Sequence, residues 1–249
     1  MQTTARLYAT QVRNAAHTLD APLPKALVEK IDQADALARD AETLLSGRGD
    51  LNTAILDALE AGRDALADPL VQRCALESML ANIQGHSFSK AATERAMDRR
   101  RAALAEHADD VLEQWSDAVE PHSAALAAAA TELPTQNLAD TAAIIAVGLD
   151  AVQHWHNAQR AIKVWDAAAA GFFAFAAAAR VDTDGRRWAI FTDTEVPAAG
   201  RRVDAWSLAC HGASLRLPAS LRQFQDRVAA AVAVDDLGLD GGLDDLDVA

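Results

Sequence analysis

A long alanine-rich tract with apolar residues at three- and four-residue spacing is the feature that most constrains the fold. The chain contains 59 alanines among its 249 residues. Alanine is the best helix former, and its small side chain lets neighbouring helices approach closely. Aromatic residues make up only 5% of the chain, so a core has to be built mainly from Leu, Ile, Val and Ala. This composition predicts a mainly α protein in which helices pack on helices.

The second predicted helix, which follows Pro24 and ends before Gly47, shows the clearest periodicity. Its apolar residues step by 4, 3, 4, 3 and 4 positions, which places them along one side of a helix. They are Leu27, Ile31, Ala34, Ala38, Ala41 and Leu45. A stripe of about two and a half heptads is typical of helices that pack in a bundle.

Two longer helices are predicted farther along the chain. The first begins near Ser87 or Ser89 and runs to about Leu133, and Pro121 is expected to kink it or to restart it. Its apolar face has two rows: Leu104, Ala108, Val111, Trp115 and Ala118, then Leu112, Val119, Leu126 and Leu133. The second runs from Leu138 to Arg180, and its row is Ile145, Gly148, Val152, Trp155, Gln159 and Ile162. We therefore expect residues 1–180 to form a bundle of long antiparallel helices.

The pattern changes after residue 180. Asp184-Gly185 is a strong signal for a two-residue hairpin turn. Short strands are predicted at Trp188–Thr192 and Val203–Ala209, and a last helix at Pro218–Val234. Residues 181–234 are thus expected to form a small β-hairpin plus a helix, packed on the bundle. Residues 235–249 hold six aspartates and no basic residue, which predicts a disordered acidic tail.

Charge and cysteine content exclude several classes of protein. The net charge of −13 opposes extended contact with phosphate backbones, so no direct nucleic-acid binding is expected. The basic stretch Arg95, Arg99, Arg100 and Arg101 is interpreted as a solvated helix face, because acidic residues lie among the arginines. Two cysteines, Cys74 and Cys210, provide neither a disulfide framework nor a metal cage.

The distribution of apolar residues favours a cytoplasmic protein without a membrane span. Met1–Arg13 lacks the apolar run of a secretory signal. The longest stretch free of charged and strongly polar residues is Ala167–Ala179, and its 13 residues fall short of the roughly 20 that cross a bilayer.

No motif in the chain predicts catalysis, a cofactor or a metal. Two imidazoles occur in His154-Trp155-His156, but on a helix they point about 200° apart, so they cannot share one ion. Cys210-His211 has the residue types of a Cys–His pair, in which histidine lowers the pKa of the thiol. Adjacent residues of a strand, however, face opposite sides. The alternative left open is a helical-bundle enzyme, or a protein that binds a metal or small molecule, with a pocket near His154, Trp155 and Trp165.

Two segments of the chain favour a role in protein–protein contacts over a catalytic role. Ala167–Ala179 is apolar on all sides and carries Phe172, Phe173 and Phe175, so it has to be buried in the bundle or against another subunit. The tail alternates aspartates with leucines, and Leu243 and Leu246 could dock when the tail orders on binding. These five residues are the candidate partner interface.

The sequence as a whole predicts a non-enzymatic helical assembly or scaffold-type protein. We expect it to act through protein–protein contacts, as a homo-oligomer or with a protein partner. Its composition is of a kind found in structural and assembly components of phages and prophages, an association of composition and not of motifs.

Overall fold

A computed structural model describes residues 4–46, 50–79, 85–193 and 203–238 of the chain. Within these ranges the protein is mainly helical, as predicted, and is consistent with an α-bundle. The α-helices in chain order are α1 (Thr4–Thr18), α2 (Lys25–Ser46), α3 (Leu51–Glu60), α4 (Pro69–Met79), α5 (Gly85–Glu106), α6 (Ala108–Glu132), α7 (Thr141–Val147), α8 (Leu149–Ala178), α9 (Ala205–Cys210) and α10 (Leu221–Gly238). One 3₁₀ helix, Arg187–Ile190, precedes α9.

The chain forms two compact units. The first unit comprises Met1–Arg6 and Lys25–Ala103, and so holds α2, α3, α4 and most of α5. The second unit comprises Leu7–Pro24 and Leu104–Ala249, and so holds most of α1 and the helices from α6 onward.

The first unit has a core of small and aliphatic side chains. In α2, the predicted stripe is buried at Leu27, Ile31 and Ala34, which are fully shielded from solvent. α3 packs against α4 to form a helical hairpin, here called the α3–α4 hairpin. Its interior is a cluster of four buried residues: Ala54, Ala58, Val71 and Cys74. The side chain of Asp50 caps α3 by accepting the backbone N–H groups of Asn52 and Thr53 at 3.0 and 3.2 Å.

The second unit is organised around the packing of α6 on α8. Both predicted rows of α6 face inward, and Val111, Leu112, Trp115, Val119 and Leu126 are all fully or almost fully buried. Burial of two adjacent rows supplies most of the apolar area that a helix of this length can remove from water. α8 contributes many buried alanines, which allows the two helices to approach closely.

The long helices predicted from spacing are each divided in two. The first is interrupted at His107, between α5 and α6, and the second at Gly148, between α7 and α8. Gly148 has a φ of 124°, a backbone conformation that favours glycine. The apolar row predicted for the second long helix is therefore interrupted at Gly148. Pro121 does not end α6, which continues to Glu132. Buried residues on both sides of Pro121 hold the helix together despite the lost hydrogen bond.

The predicted β-hairpin is wrong. Asp184-Gly185 does form a turn, and Gly185 has a φ of 70°, but the residues after it form the 3₁₀ helix. Four consecutive residues, Trp188, Ala189, Ile190 and Phe191, are buried there, whereas a half-buried strand would expose alternate side chains.

The second predicted strand is also helical. It is the short helix α9, which starts because Asp204 caps it, with its side chain accepting the N–H of Ser207 at 2.8 Å.

The acidic C-terminal segment is described only in part. α10 continues through Gly238, so residues 235–238 belong to a helix, which differs from a disordered tail beginning at Asp235. Leu243 and Leu246 lie outside the described residues.

Among the helices that the structure describes, only α8 is long and apolar enough to cross a membrane by length and composition. Of its most apolar window, 61% is buried inside the protein, as in the core helix of a globular domain.

His122 on α6 gives the second unit a testable pH dependence. Its pKa lies below the ordinary value of 6.5 because burial disfavours the imidazolium and because Arg160 adds a like charge. The unfolded chain therefore binds this proton more readily, and stability should fall as the pH drops from 6.5 through the folded-state pKa. We expect His122→Gln to flatten this part of a Tm profile recorded between pH 5 and 8. His156→Gln, at an exposed histidine of α8, is the control, and equal slopes in the two variants would contradict the assignment.

Candidate functional site

Large apolar side chains cover the outside of the α3–α4 hairpin. Six of them are between 51% and 85% exposed, and together they are called the outer face: Leu56, Leu59, Leu66, Leu70, Leu76 and Met79. All six lie within a segment of 24 residues. Exposure of so many aliphatic side chains from one short segment is unusual, because soluble monomers rarely keep large apolar patches in water.

The outer face arises from the way residue size is distributed around α3 and α4. Ala54 and Ala58 point into the hairpin. Leu56 lies about 200° around the helix from Ala54, so it has to point away from the interior. Ala54 and Ala58 are thus inside and Leu56 and Leu59 outside, although Leu51 and Ile55 also pack against the interior.

Hydrogen bonds and ion pairs fix the shape of this hairpin. The buried carboxylate of Asp68 pairs with Arg63 and also caps α4, accepting the N–H of Leu70 at 2.8 Å. The buried carboxylate of Glu77 accepts Nε of Arg73 at 2.9 Å. The Asp68 contacts tie the connection between the helices to the start of α4, whereas the Glu77–Arg73 pair lies within α4.

A groove of about 880 Å³ lies between α2 and α5 in the first unit. Its apolar lining is Leu37, Ala41 and Leu44 from α2, and Phe88, Ala91, Ala92 and Ala102 from α5. Its charged lining is Asp40, Glu94, Arg95, Asp98 and Arg99. This groove, called the α2–α5 groove, is lined by residues from two helices that an ion pair also joins.

That ion pair corrects the interpretation of the basic stretch as a solvated face. Arg100 is buried, and its guanidinium contacts Oδ1 of Asp35 with Nε at 2.7 Å and Nη2 at 2.6 Å. Arg100 lies 100° around α5 from Arg99, so one arginine can face α2 while the next lines the groove. Only part of the basic stretch is therefore solvated.

The three phenylalanines of α8 occupy different environments. Phe172 and Phe175 are fully buried inside the second unit, where Phe172 contacts Phe224 and Phe175 contacts Trp115 at ring-centroid distances of 5.3 and 5.5 Å. Phe173 is partly exposed, and the guanidinium of Arg187 lies 5.4 Å above its ring. Contact of any of the three with a partner stays a prediction.

The aromatic and histidine residues proposed as a pocket are not brought together. Trp165 is fully buried beside Phe191, whereas Trp155 is partly buried and donates its indole N–H to the carbonyl of Leu138 at 2.9 Å. Trp155 and Trp165 are ten residues apart, which is about 15 Å of helix. His154 precedes Trp155 and is partly exposed. The described residues contain no group of three or more potential metal ligands.

The chemistry of Cys210 is also unlike that of an activated thiol. Burial and the nearby charge of Asp204 raise the pKa of Cys210. His211 follows α9, and its Nδ1 lies 2.6 Å from the carbonyl oxygen of Ser207. The imidazole therefore contacts the backbone, and nothing in this geometry favours a thiolate.

Comparisons with protein-family models, with curated proteins and with solved structures found no match. The outer face and the α2–α5 groove were not found by sequence reasoning. In α3, Ala54 and Ala58 are buried whereas Leu56 and Leu59 are exposed, but both residue types count as apolar in a simple periodicity.

Proposed function

We propose that this protein has no catalytic role and works by self-association through the outer face of the α3–α4 hairpin. The observation that carries the proposal is the exposure of six large apolar side chains around the hairpin's four-residue interior. Covering each of them would contribute up to about 1.5–3 kcal/mol of hydrophobic free energy, before the costs of association. A contact of this kind supplies a driving force for assembly that requires no cofactor.

A second copy of the chain is the partner that suits this surface. Aliphatic contacts are non-directional, so a leucine-covered face is complementary to itself, as a two-fold symmetric interface requires. The buried charges of the hairpin are already paired within it. Two copies that each carry a net charge of −13 repel one another, and an apolar face brings the fewest like charges into contact. Higher salt should therefore strengthen the association, because it screens the remaining repulsion.

The mass of the protein in solution, measured by light scattering over a concentration series, tests this proposal. We expect a mass that rises with concentration toward a dimer. Leu59→Glu should weaken the association by tenfold or more, since it places a charge in the contact. The matched control is Val147→Glu, because Val147 is 60% exposed and Leu59 58%, but Val147 lies on α7.

Two outcomes would contradict self-association through this face. The first is a monomer at every concentration and salt level. The second is an equal effect of Leu59→Glu and Val147→Glu on the dissociation constant. Circular dichroism of each variant verifies that the helical content is retained, so that a lost contact is distinguished from a lost fold.

A further inference from the structure

We propose that Met79 is an oxidation site that regulates self-association: a peroxide converts its thioether to the sulfoxide, and the modified outer face then holds two copies together less tightly. The inference rests on the proposed self-association and names what would regulate it. The outer face consists of five leucines and Met79, so Met79 carries its one readily oxidised atom.

The thioether of Met79 is open to an oxidant in the unassociated chain. Met79 is 63% exposed at the end of α4, whereas Met97 on α5 is partly buried. Met1, the third methionine of the chain, lies outside the described residues. Because oxidation requires contact between the sulfur and the oxidant, we expect Met79 to react before Met97.

The two cysteines are less suited to respond to a peroxide. Cys74 is buried in the interior of the α3–α4 hairpin, which shields its sulfur. Cys210 is partly exposed, but burial raises the pKa of its thiol. The thiolate is the form that reacts, so a raised pKa slows the oxidation of Cys210.

The reaction at Met79 is a two-electron oxidation of sulfur. The sulfur lone pair forms a bond to one oxygen of hydrogen peroxide while the O–O bond breaks. The other oxygen leaves as hydroxide and takes the proton of the transferred hydroxyl group, so the products are the sulfoxide and one water molecule. Sulfur loses two electrons and the peroxide gains them. The reaction requires no catalytic group on the protein.

A sulfoxide at position 79 would place a strong dipole inside an apolar contact. Leu76 and Met79 are three residues apart on α4, so they are neighbours on the surface of the helix. Leucine side chains have no hydrogen-bond donor, and the sulfoxide oxygen would lose water without replacement when the face is covered. In a two-fold symmetric contact this cost arises at both copies of Met79.

Association should protect Met79 in return. A side chain that is covered by a second copy is shielded from peroxide, so the oxidant reaches Met79 in the free monomer. We therefore expect the oxidation of Met79 to slow as the protein concentration rises above the dissociation constant. The oxidation of Met97, which is not part of the outer face, should proceed at the same rate throughout.

Light scattering of the full chain over a concentration series, before and after treatment with hydrogen peroxide, tests the proposal. Mass spectrometry of peptides measures the sulfoxide at each methionine. We expect full oxidation of Met79 to raise the dissociation constant of the dimer about tenfold or more. The two methionine sulfoxide reductases, one for each sulfoxide epimer, should reverse the effect in the presence of dithiothreitol, whereas dithiothreitol alone should not.

Substitutions separate Met79 from the other oxidisable groups. Met79→Leu keeps an apolar side chain of similar volume, so it should dimerise within about twofold of the wild-type affinity and lose the response to peroxide. Met79→Gln introduces a polar group and should weaken the dimer without any oxidant. Met97→Leu is the matched control, and it should retain the full response.

The outcomes distinguish this inference from the self-association on which it rests. A dimer that forms before oxidation and persists unchanged after full oxidation of Met79 would overturn the regulatory role and leave self-association standing. An undiminished peroxide response in Met79→Leu would do the same. Oxidation of Met79 at one rate below and above the dissociation constant would place Met79 outside the contact and also overturn the proposal. A monomer at every concentration before oxidation would overturn both.

Discussion

Replacing Gly171 with alanine is expected to destabilise the second unit by about 1–3 kcal/mol, the usual cost of adding atoms to a packed core. Alanine is the better helix former by about 1 kcal/mol, so propensity alone predicts the opposite sign. A Cβ atom on Gly171 would lie 2.6 Å from Cη2 of Trp115 and 2.9 Å from Cβ of Ala15. Trp115 is fully buried and its ring packs against Phe175 at a centroid distance of 5.5 Å, so it cannot move without displacing a core side chain. The steric effect should therefore exceed the gain in propensity.

A double-mutant cycle with Trp115→Phe isolates this contact. Phenylalanine lacks the outer ring atoms of Trp115 that approach Gly171, so Gly171→Ala should become neutral or stabilising in that background. Trp115→Phe itself is a suitable reference, because the indole N–H of Trp115 is buried without an acceptor among the described residues. Urea unfolding of the four proteins measures the coupling. Additive effects of the two substitutions would show that the close approach of Gly171 to Trp115 does not limit the packing.

Local patterns in the sequence predict the buried faces of the helices well, because the same residues that form the apolar stripe fill the core. Leu27, Ile31 and Ala34 in α2 are buried as the 3-4 spacing indicates, and so are Val111 and Trp115 in α6. A stripe of this kind depends on the helix alone and not on which element covers it. The mainly α class of the protein is a consequence of the same periodicity.

Helix ends were predicted less well, because the strength of a breaker depends on its surroundings. Gly148 fits the apolar row numerically, yet it adopts a φ of 124° and separates α7 from α8. Pro121 is the stronger helix breaker in isolation, but α6 continues past it because residues on both sides of it are buried. The Asp184-Gly185 turn shows the same limit, since the turn forms and the strands do not. Burial of the next residues, here Trp188 and its neighbours, decides which element the chain forms after such a turn.

The candidate binding surfaces depend on contacts between helices and on residue size, and the spacing of apolar residues records neither. Asp35 and Arg100 are 65 residues apart, and only the packing of α2 beside α5 joins them. The outer face depends on which apolar residues the hairpin can bury, since Ala54, Ala58, Val71 and Cys74 fill the interior while Leu56 and Leu59 stay exposed. A periodicity that treats alanine and leucine alike cannot separate a core-facing residue from a partner-facing one.

Removing the guanidinium of Arg227 is expected to cost about 1.5–3 kcal/mol, the range for hydrogen bonds made by a charged group. Arg227 is buried in α10, and its Nη1 donates to the carbonyl of Ala189 at 2.9 Å and to that of Arg216 at 2.8 Å. Burial lowers the pKa of this guanidinium, but arginine remains charged throughout the physiological range. The side chain therefore joins α10 to the 3₁₀ helix and to the segment that precedes α10.

Arg227→Met tests this role because methionine keeps most of the apolar stem and leaves both carbonyls without their donor. Arg227→Lys should be intermediate, since an ammonium on a shorter side chain cannot reproduce the reach of the guanidinium. Arg222→Met, at an exposed site of α10, should change stability by no more than about 0.5 kcal/mol.

Hydrogen exchange gives a readout specific to this network. The N–H of Arg216 donates to the carbonyl of Phe191 at 2.6 Å, so it should exchange faster in Arg227→Met if Arg227 holds these two segments together. Unchanged exchange at Arg216, combined with a loss of stability no larger than that of Arg222→Met, would mean that the apolar contacts of Phe224 and Leu221 hold α10 in place without Arg227.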